Sequence, residues 1–89
     1  MRYVNNNLIT TRQRNEITRM QQALDQDDSI VELRINIRKV AQSQLDNGVT
    51  DMSSLLKRIT EEYDARTTRN MHEIELLKAQ YQLKYTLNQ

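Results

Sequence analysis

Eighty-nine residues with no proline and a single glycine, Gly48 near the midpoint, leave a chain very few ways to stop a helix. Proline removes a backbone donor and clashes with the preceding turn, and glycine loses the most backbone entropy, so a chain nearly free of both can carry helix along most of its length. The one strong interruption is Leu45-Asp46-Asn47-Gly48-Val49-Thr50-Asp51. Asn47 and Gly48 suit the left-handed conformation that ends a helix, and Thr50 or Asp51 suits the N-cap of the next. The spacing predicts a helix over about 5–46, a turn at 47–50 and a helix over about 51–87, within a single domain. At 1.5 Å per residue each helix is on the order of 55–63 Å long. A connection this short makes them antiparallel neighbours, so the expected fold class is all-α, a long coiled-coil-like helical hairpin.

Hydrophobic residues make up 37% of the chain, with no tryptophan or phenylalanine, which is too little for a thick globular core. The apolar side chains must therefore lie in stripes. In the second half Leu55, Ile59, Tyr63, Arg66, Asn70, Ile74, Leu77, Tyr81 and Tyr85 follow an 11-residue repeat, nearer to straight packing than to a heptad supercoil. Arg66 and Asn70 make its middle polar. A second set, Ala65, Thr68, His72, Leu76, Ala79, Leu83 and Leu87, lies on nearly the opposite side at ~100° per residue. In the first half Ile17, Met20, Leu24, Val31 and Ile35 share one side, and Ile30, Leu33, Ile37, Val40, Ala41 and Gln44 lie well away from it. Two stripes on a helix call for two neighbours.

Other readings of the first half compete. Residues 31–37 alternate with period two, as a strand would, although no second strand is available to pair with them. Asp27-Asp28-Ser29, with Ser29 and Glu32 at capping-box spacing, is a candidate helix break, but a continuous helix is preferred. The first sixteen residues or so, with Asn5, Asn6, Asn7, Thr10, Thr11 and Gln13, are polar and weakly patterned, so fraying is expected there.

A lone hairpin can cover only one stripe per helix. Leu76, Leu83, Leu87, Ile30, Leu33 and Ile37 are then expected to stay partly wet, and burying a large apolar side chain is worth ~1.5–3 kcal/mol. The expectation is self-association into a helical bundle or closed helical barrel, with a dimer or larger species for this chain.

Little else points to chemistry. Thirteen basic and 12 acidic residues are scattered along the chain for a net charge of +1, with no charge run that would suit nucleic acid and no steering field. The absence of cysteine excludes disulfides and thiolate metal sites. No apolar core of a signal peptide opens the chain, and no stretch is long enough to span a membrane. His72, the only histidine, has at best Glu75 beside it, which favours a seam histidine over a metal ligand. Tyr81 and Tyr85 at four-residue spacing suggest a seam or an interfacial ring. Arg34, Arg38 and Lys39 read as a solvated basic face near the helix C-terminus, and Glu62 with Arg66 as a weak i,i+4 pair. No nucleophile–base set, phosphate loop or paired catalytic carboxylates are visible, so no enzyme, cofactor or metal centre is expected.

The run Asp28-Ser29-Ile30-Val31-Glu32-Leu33-Arg34, then Gln44-Leu45-Asp46-Asn47-Gly48-Val49-Thr50 and Leu55-Leu56, resembles the C-terminal repeat of TolC-type outer-membrane efflux proteins. Ala65-Arg66 and His72-Glu73-Ile74-Glu75-Leu76-Leu77-Lys78-Ala79-Gln80-Tyr81 continue the resemblance in the returning helix. It covers roughly residues 20–87, is similar to the Bacteroidetes branch of the family, and rests on an ordered set of residues, not on one specific motif. The resemblance implies a segment of a larger trimeric channel whose periplasmic part is a helical barrel. It places Asn47, Gly48, Val49, Thr50 and Asp51 at the periplasmic tip, where a periplasmic adaptor docks and an inner-membrane pump lies beyond. Ser54 and Lys57 stand near positions where some members carry acidic residues, so an acidic constriction does not carry over. One hairpin has neither the β-strands nor the first repeat of the family. The alternative is a coiled-coil interaction module, such as a periplasmic adaptor hairpin or a dimeric scaffold.

Overall fold

The computed structural model describes residues 2–88, with side-chain surroundings for 7–88. It is a two-helix hairpin: α1 spans Arg2–Asp46 and α2 spans Met52–Leu87, and no strand occurs among the described residues. The molecule measures 70 × 14 × 14 Å, the length of one long helix and the width of two. Helix runs straight through residues 27–29 and 31–37, so neither the break nor the strand forms. The β-branched residues of 31–37 have no partner strand, and Ser29 donates its hydroxyl to the Asp25 carbonyl inside the helix, where it caps nothing. Helix also extends to Arg2, through the segment expected to fray and beyond the expected start near residue 5.

The seam between the helices differs from the expected one. On α1 the inward residues are Ile17, Met20, Leu24, Asp27, Val31, Arg34, Arg38, Ala41 and Leu45, in alternating steps of three and four. Their partners on α2 are Leu55, Arg58, Glu62, Ala65, Arg69, His72, Leu76, Ala79, Leu83 and Thr86, with the same steps. This is a heptad repeat, the 3.5-residue period that keeps a seam facing its partner in a left-handed supercoil. The 11-residue set on α2 therefore lies outside: Ile59, Tyr63, Ile74, Leu77, Tyr81 and Tyr85 are all exposed. Only Leu55 of that set is buried, while Leu76 and Leu83, expected to be wet, face α1. The inversion has a simple cause. Four of the α2 seam positions are Arg58, Glu62, Arg69 and His72, so the true seam is less apolar than the outer stripe.

The core is correspondingly thin: Ala41, Leu55 and Leu76 are the only buried hydrophobic residues among those described, at 7%, 5% and 8% exposure. Between the apolar end near the turn and the apolar stretch around Leu76 runs a ladder of cross-seam ion pairs. Arg38 reaches Glu62 at 3.2 Å, Arg34 reaches Glu61 at 3.2 Å, Arg69 reaches Asp28 at 2.8 Å, and His72 contacts Asp27. Arg58 and Arg66 add helix-internal links to Glu61 at 2.8 Å and Glu62 at 3.8 Å. Arg34 and Arg38 thus turn toward α2 and are not a solvated basic face. Glu62, whose side chain is only 14% exposed, serves Arg38 as well as Arg66 and is more than a surface pair.

Candidate functional site: the hairpin tip

Asn47, Gly48, Val49, Thr50 and Asp51 form the whole connection between the helices and sit together at one end of the molecule. Its geometry follows from two caps set back to back. Val49 N–H donates to the Gln44 carbonyl at 2.8 Å and Gly48 N–H to the Leu45 carbonyl at 3.0 Å, the paired bonds of a Schellman motif. Asn47 N–H donates to the Ser43 carbonyl at 3.0 Å, closing the last turn of α1. Gly48 supplies the left-handed residue that the motif needs, with φ +72°, and no non-glycine residue has positive φ among those described. Asp51 then caps α2: its backbone is extended, and its carboxylate accepts the Ser54 N–H at 2.8 Å. That hydrogen bond from the Ser54 backbone, helped by the Ser54 side chain, holds the Asp51 carboxyl below its ordinary value. The cap therefore stabilises α2 above the ordinary carboxylate range and is lost as pH falls through the lowered value.

The Schellman motif usually carries a hydrophobic contact between the residue after the glycine and the third residue from the helix end. Here those positions are Val49 and Gln44, and Val49 is 73% exposed. Met52, one residue into α2, is also exposed. The tip is thus a turn held by two caps that presents two apolar side chains outward. A surface of this kind can dock an apolar partner. Met52 was not legible as a tip residue in the sequence, because only the cap geometry shows that α2 opens with it pointing out. Ser54 is used in capping, and Lys57 is exposed on the first turns of α2.

A second polar cluster lies at mid-length. His72 packs in the seam as a histidine at a heptad position should, and its Nδ1 meets the Asp27 carboxylate from the other helix. The hydrogen bond with Asp27 raises the His72 pKa above 6.5; burial opposes the shift, and the charges of Asp27 and Glu75 add to it. Arg69, with Asp28 and Glu73, lies one heptad step away. Among the described residues no group of three or more His, Cys, Asp or Glu side chains is arranged to hold a metal ion. The Asp27–His72 pair stabilises the folded hairpin fully below a pH of about 6.5, and that contribution disappears as pH rises through the raised value. Thermal denaturation should therefore give a higher midpoint at about pH 6 than at about pH 9, and His72→Gln should flatten the difference. A midpoint rising with pH over that window would contradict the cross-seam pairing.

Comparison of the chain with protein-family models, with curated proteins and with solved structures found no match.

Proposed function

We propose that this chain is the periplasmic helical hairpin of an outer-membrane efflux or export channel, forming part of the tunnel wall and its adaptor-docking tip. The observation that carries this reading is the apolar surface outside the hairpin: Ile30, Leu33 and Val40 on α1 and Leu56, Ile59, Tyr63, Ile74 and Leu77 on α2 are all exposed. A helix with apolar side chains both on its seam and outside it belongs in a layer with a neighbour on each side. The ordered likeness to efflux-protein C-terminal repeats, and the outward Val49 at the turn, give that layer a role. In this reading three full-length protomers make the tunnel, the tip meets a periplasmic adaptor below which the inner-membrane pump lies, and the chain sits in the periplasmic portion of an outer-membrane protein. It acts structurally and catalyses nothing. No helix among the described residues is long and apolar enough to cross a membrane, which suits a tunnel wall but does not itself argue for one.

The gene decides between this and a hairpin module of another kind. An export signal with two tandem helical repeats and intervening β-strand segments supports the channel; a gene encoding these 89 residues alone overturns it. The regular heptad seam favours the second reading, an adaptor hairpin or dimeric scaffold, and an export signal without strand segments would select the adaptor. Both readings share one expectation for the chain itself: light scattering gives a dimer or larger, and a strictly monomeric species at high concentration would contradict the layer.

A further inference from the structure

The outer apolar residues of the two helices do not share a face of the hairpin. On α1, Ile30, Leu33, Ile37 and Val40 flank one side of the seam, beside Ala23 and Gln44. Ile30 lines a groove there with Asp27, Arg34, Glu61, Asp64 and Thr68. On α2, Met52, Leu56, Ile59 and Tyr63 flank the other side of the seam, the side on which Arg69 meets Asp28 and Glu73. In an antiparallel pair the same-lettered flanks of the two helices adjoin. Each broad face therefore has one apolar half and one more polar half. The face with the α1 strip has Glu61 and Asp64 of α2 beside it; the face with the α2 strip has Asp28, Glu32, Ile35 and Lys39 of α1.

We propose that the occupant of each strip is a second copy of this chain, joined head to tail: the α1 strip of one copy packs on the α2 strip of the next, with all turns at the same end. This rests on the reading that the hairpin belongs to a layer of helices, and it specifies which surfaces meet. A two-fold pairing of like strips would cover one strip and leave the other exposed on both copies, whereas a head-to-tail contact covers one strip of each kind at every junction. The strips also sit at matching heights. The cross-seam ion pairs place Leu33 level with Tyr63 and Ile37 level with Ile59, so copies standing the same way up bring the strips together without a large shift. Copies standing opposite ways could join the strips only by overlapping near their turns. Aligned copies can touch along α2, about 54 Å for its 36 residues, and a contact about 10 Å wide then covers ~540 Å² on each side, at the low end for a specific interface, so that the assembly gains by repeating the junction. The next helix is always antiparallel to the one it meets, which continues the up-and-down order within the hairpin.

The chain has no cysteine, so a single introduced one reports its neighbour without ambiguity. Chains bearing Leu33→Cys and Tyr63→Cys, both at exposed positions, would be mixed, oxidised and separated by mass, with circular dichroism checking that each folds. The mixed product, in which one variant of each kind is joined through a disulfide, is expected in several-fold excess over either like-with-like product. Like-with-like products in excess would overturn the head-to-tail contact while leaving self-association and the channel reading standing. No cross-link, together with a monomer in sedimentation, would overturn both the contact and the layer it rests on. As a second arm, Leu33→Asp should still add to wild-type chains through its intact α2 strip and so cut assembly size without abolishing binding; complete loss of binding to wild type would also count against the arrangement.

Discussion

Replacing Asp27 and His72 together by leucine is expected to raise the melting temperature of the hairpin by about 10 °C, even though it removes the ion pair at mid-seam. The two residues face each other from heptad positions flanked by Leu24, Val31 and Leu76. Leucines there would join the apolar stretch around Leu76 to Val31. A large side chain gains ~1.5–3 kcal/mol on full burial, less when half-buried as here, and a hairpin of this size moves roughly 4–8 °C per kcal/mol. Part-buried ion pairs return little net stability, because desolvation offsets their attraction, and well-packed apolar replacements are often more stable. His72→Leu alone should do the reverse at neutral pH, since it leaves Asp27 in the seam without its partner. The double variant should also lose the pH dependence of the midpoint. Circular dichroism melts at fixed protein concentration separate these outcomes, concentration being held because association raises apparent stability. A double variant less stable than the parent would mean that the ion pair contributes more than the apolar contacts that replace it.

At the tip, Gly48→Val is expected to lower the melting temperature by about 5–15 °C, as an L-residue in the left-handed region costs ~1–2 kcal/mol and a β-branched one more. A Cβ built on Gly48 meets nothing within 4 Å, so the loss is conformational and not steric. That sets a pattern across a series. Gly48→Ala and Gly48→Leu should be equally harmful despite their different volumes, and Gly48→Asn should be mildest because asparagine tolerates positive φ. A loss that grows with side-chain volume would mean that the turn is packed against something. A neutral Gly48→Val would mean that the two caps do not meet through a left-handed residue at all.

Much of this architecture was legible in the residues. The lack of proline, the lone Gly48 and the Thr50-Asp51 step were enough to place two helices and their turn within a few positions, because helix breakers act locally and leave a local mark. Gly48 as the left-handed residue follows from backbone rules that need no knowledge of neighbours, and the same rules narrowed the cap to Thr50 or Asp51, of which the structure uses Asp51. What could not be read by hydropathy was which stripe faces inward. The seam of α2 runs through Arg58, Glu62, Arg69 and His72, and such side chains pack inward only when the opposite helix supplies counter-charges. Arg38, Asp28 and Asp27 do so for Glu62, Arg69 and His72, while Arg58 pairs with Glu61 on its own helix, and the three cross-seam partners lie far away in sequence. On α1, where Ile17, Met20, Leu24 and Val31 carry the seam, the apolar pattern did mark the inward side. Tip residue Met52 was missed for a related reason: its direction depends on where the cap sets the first turn of α2.

The ladder of charges also works as a graduated scale. Slide α2 by seven residues one way and Arg69 comes opposite Arg38; slide it the other way and Glu62 comes opposite Asp28, so either mis-setting brings like signs together at mid-length. The tight turn already resists such sliding, because it would have to unwind to permit it. Two independent devices, one at the end and one in the middle, thus hold the same vertical setting. Val49 is therefore carried at one fixed elevation above the rest of the rod, which the proposed tunnel wall would need if its rim is to be flat.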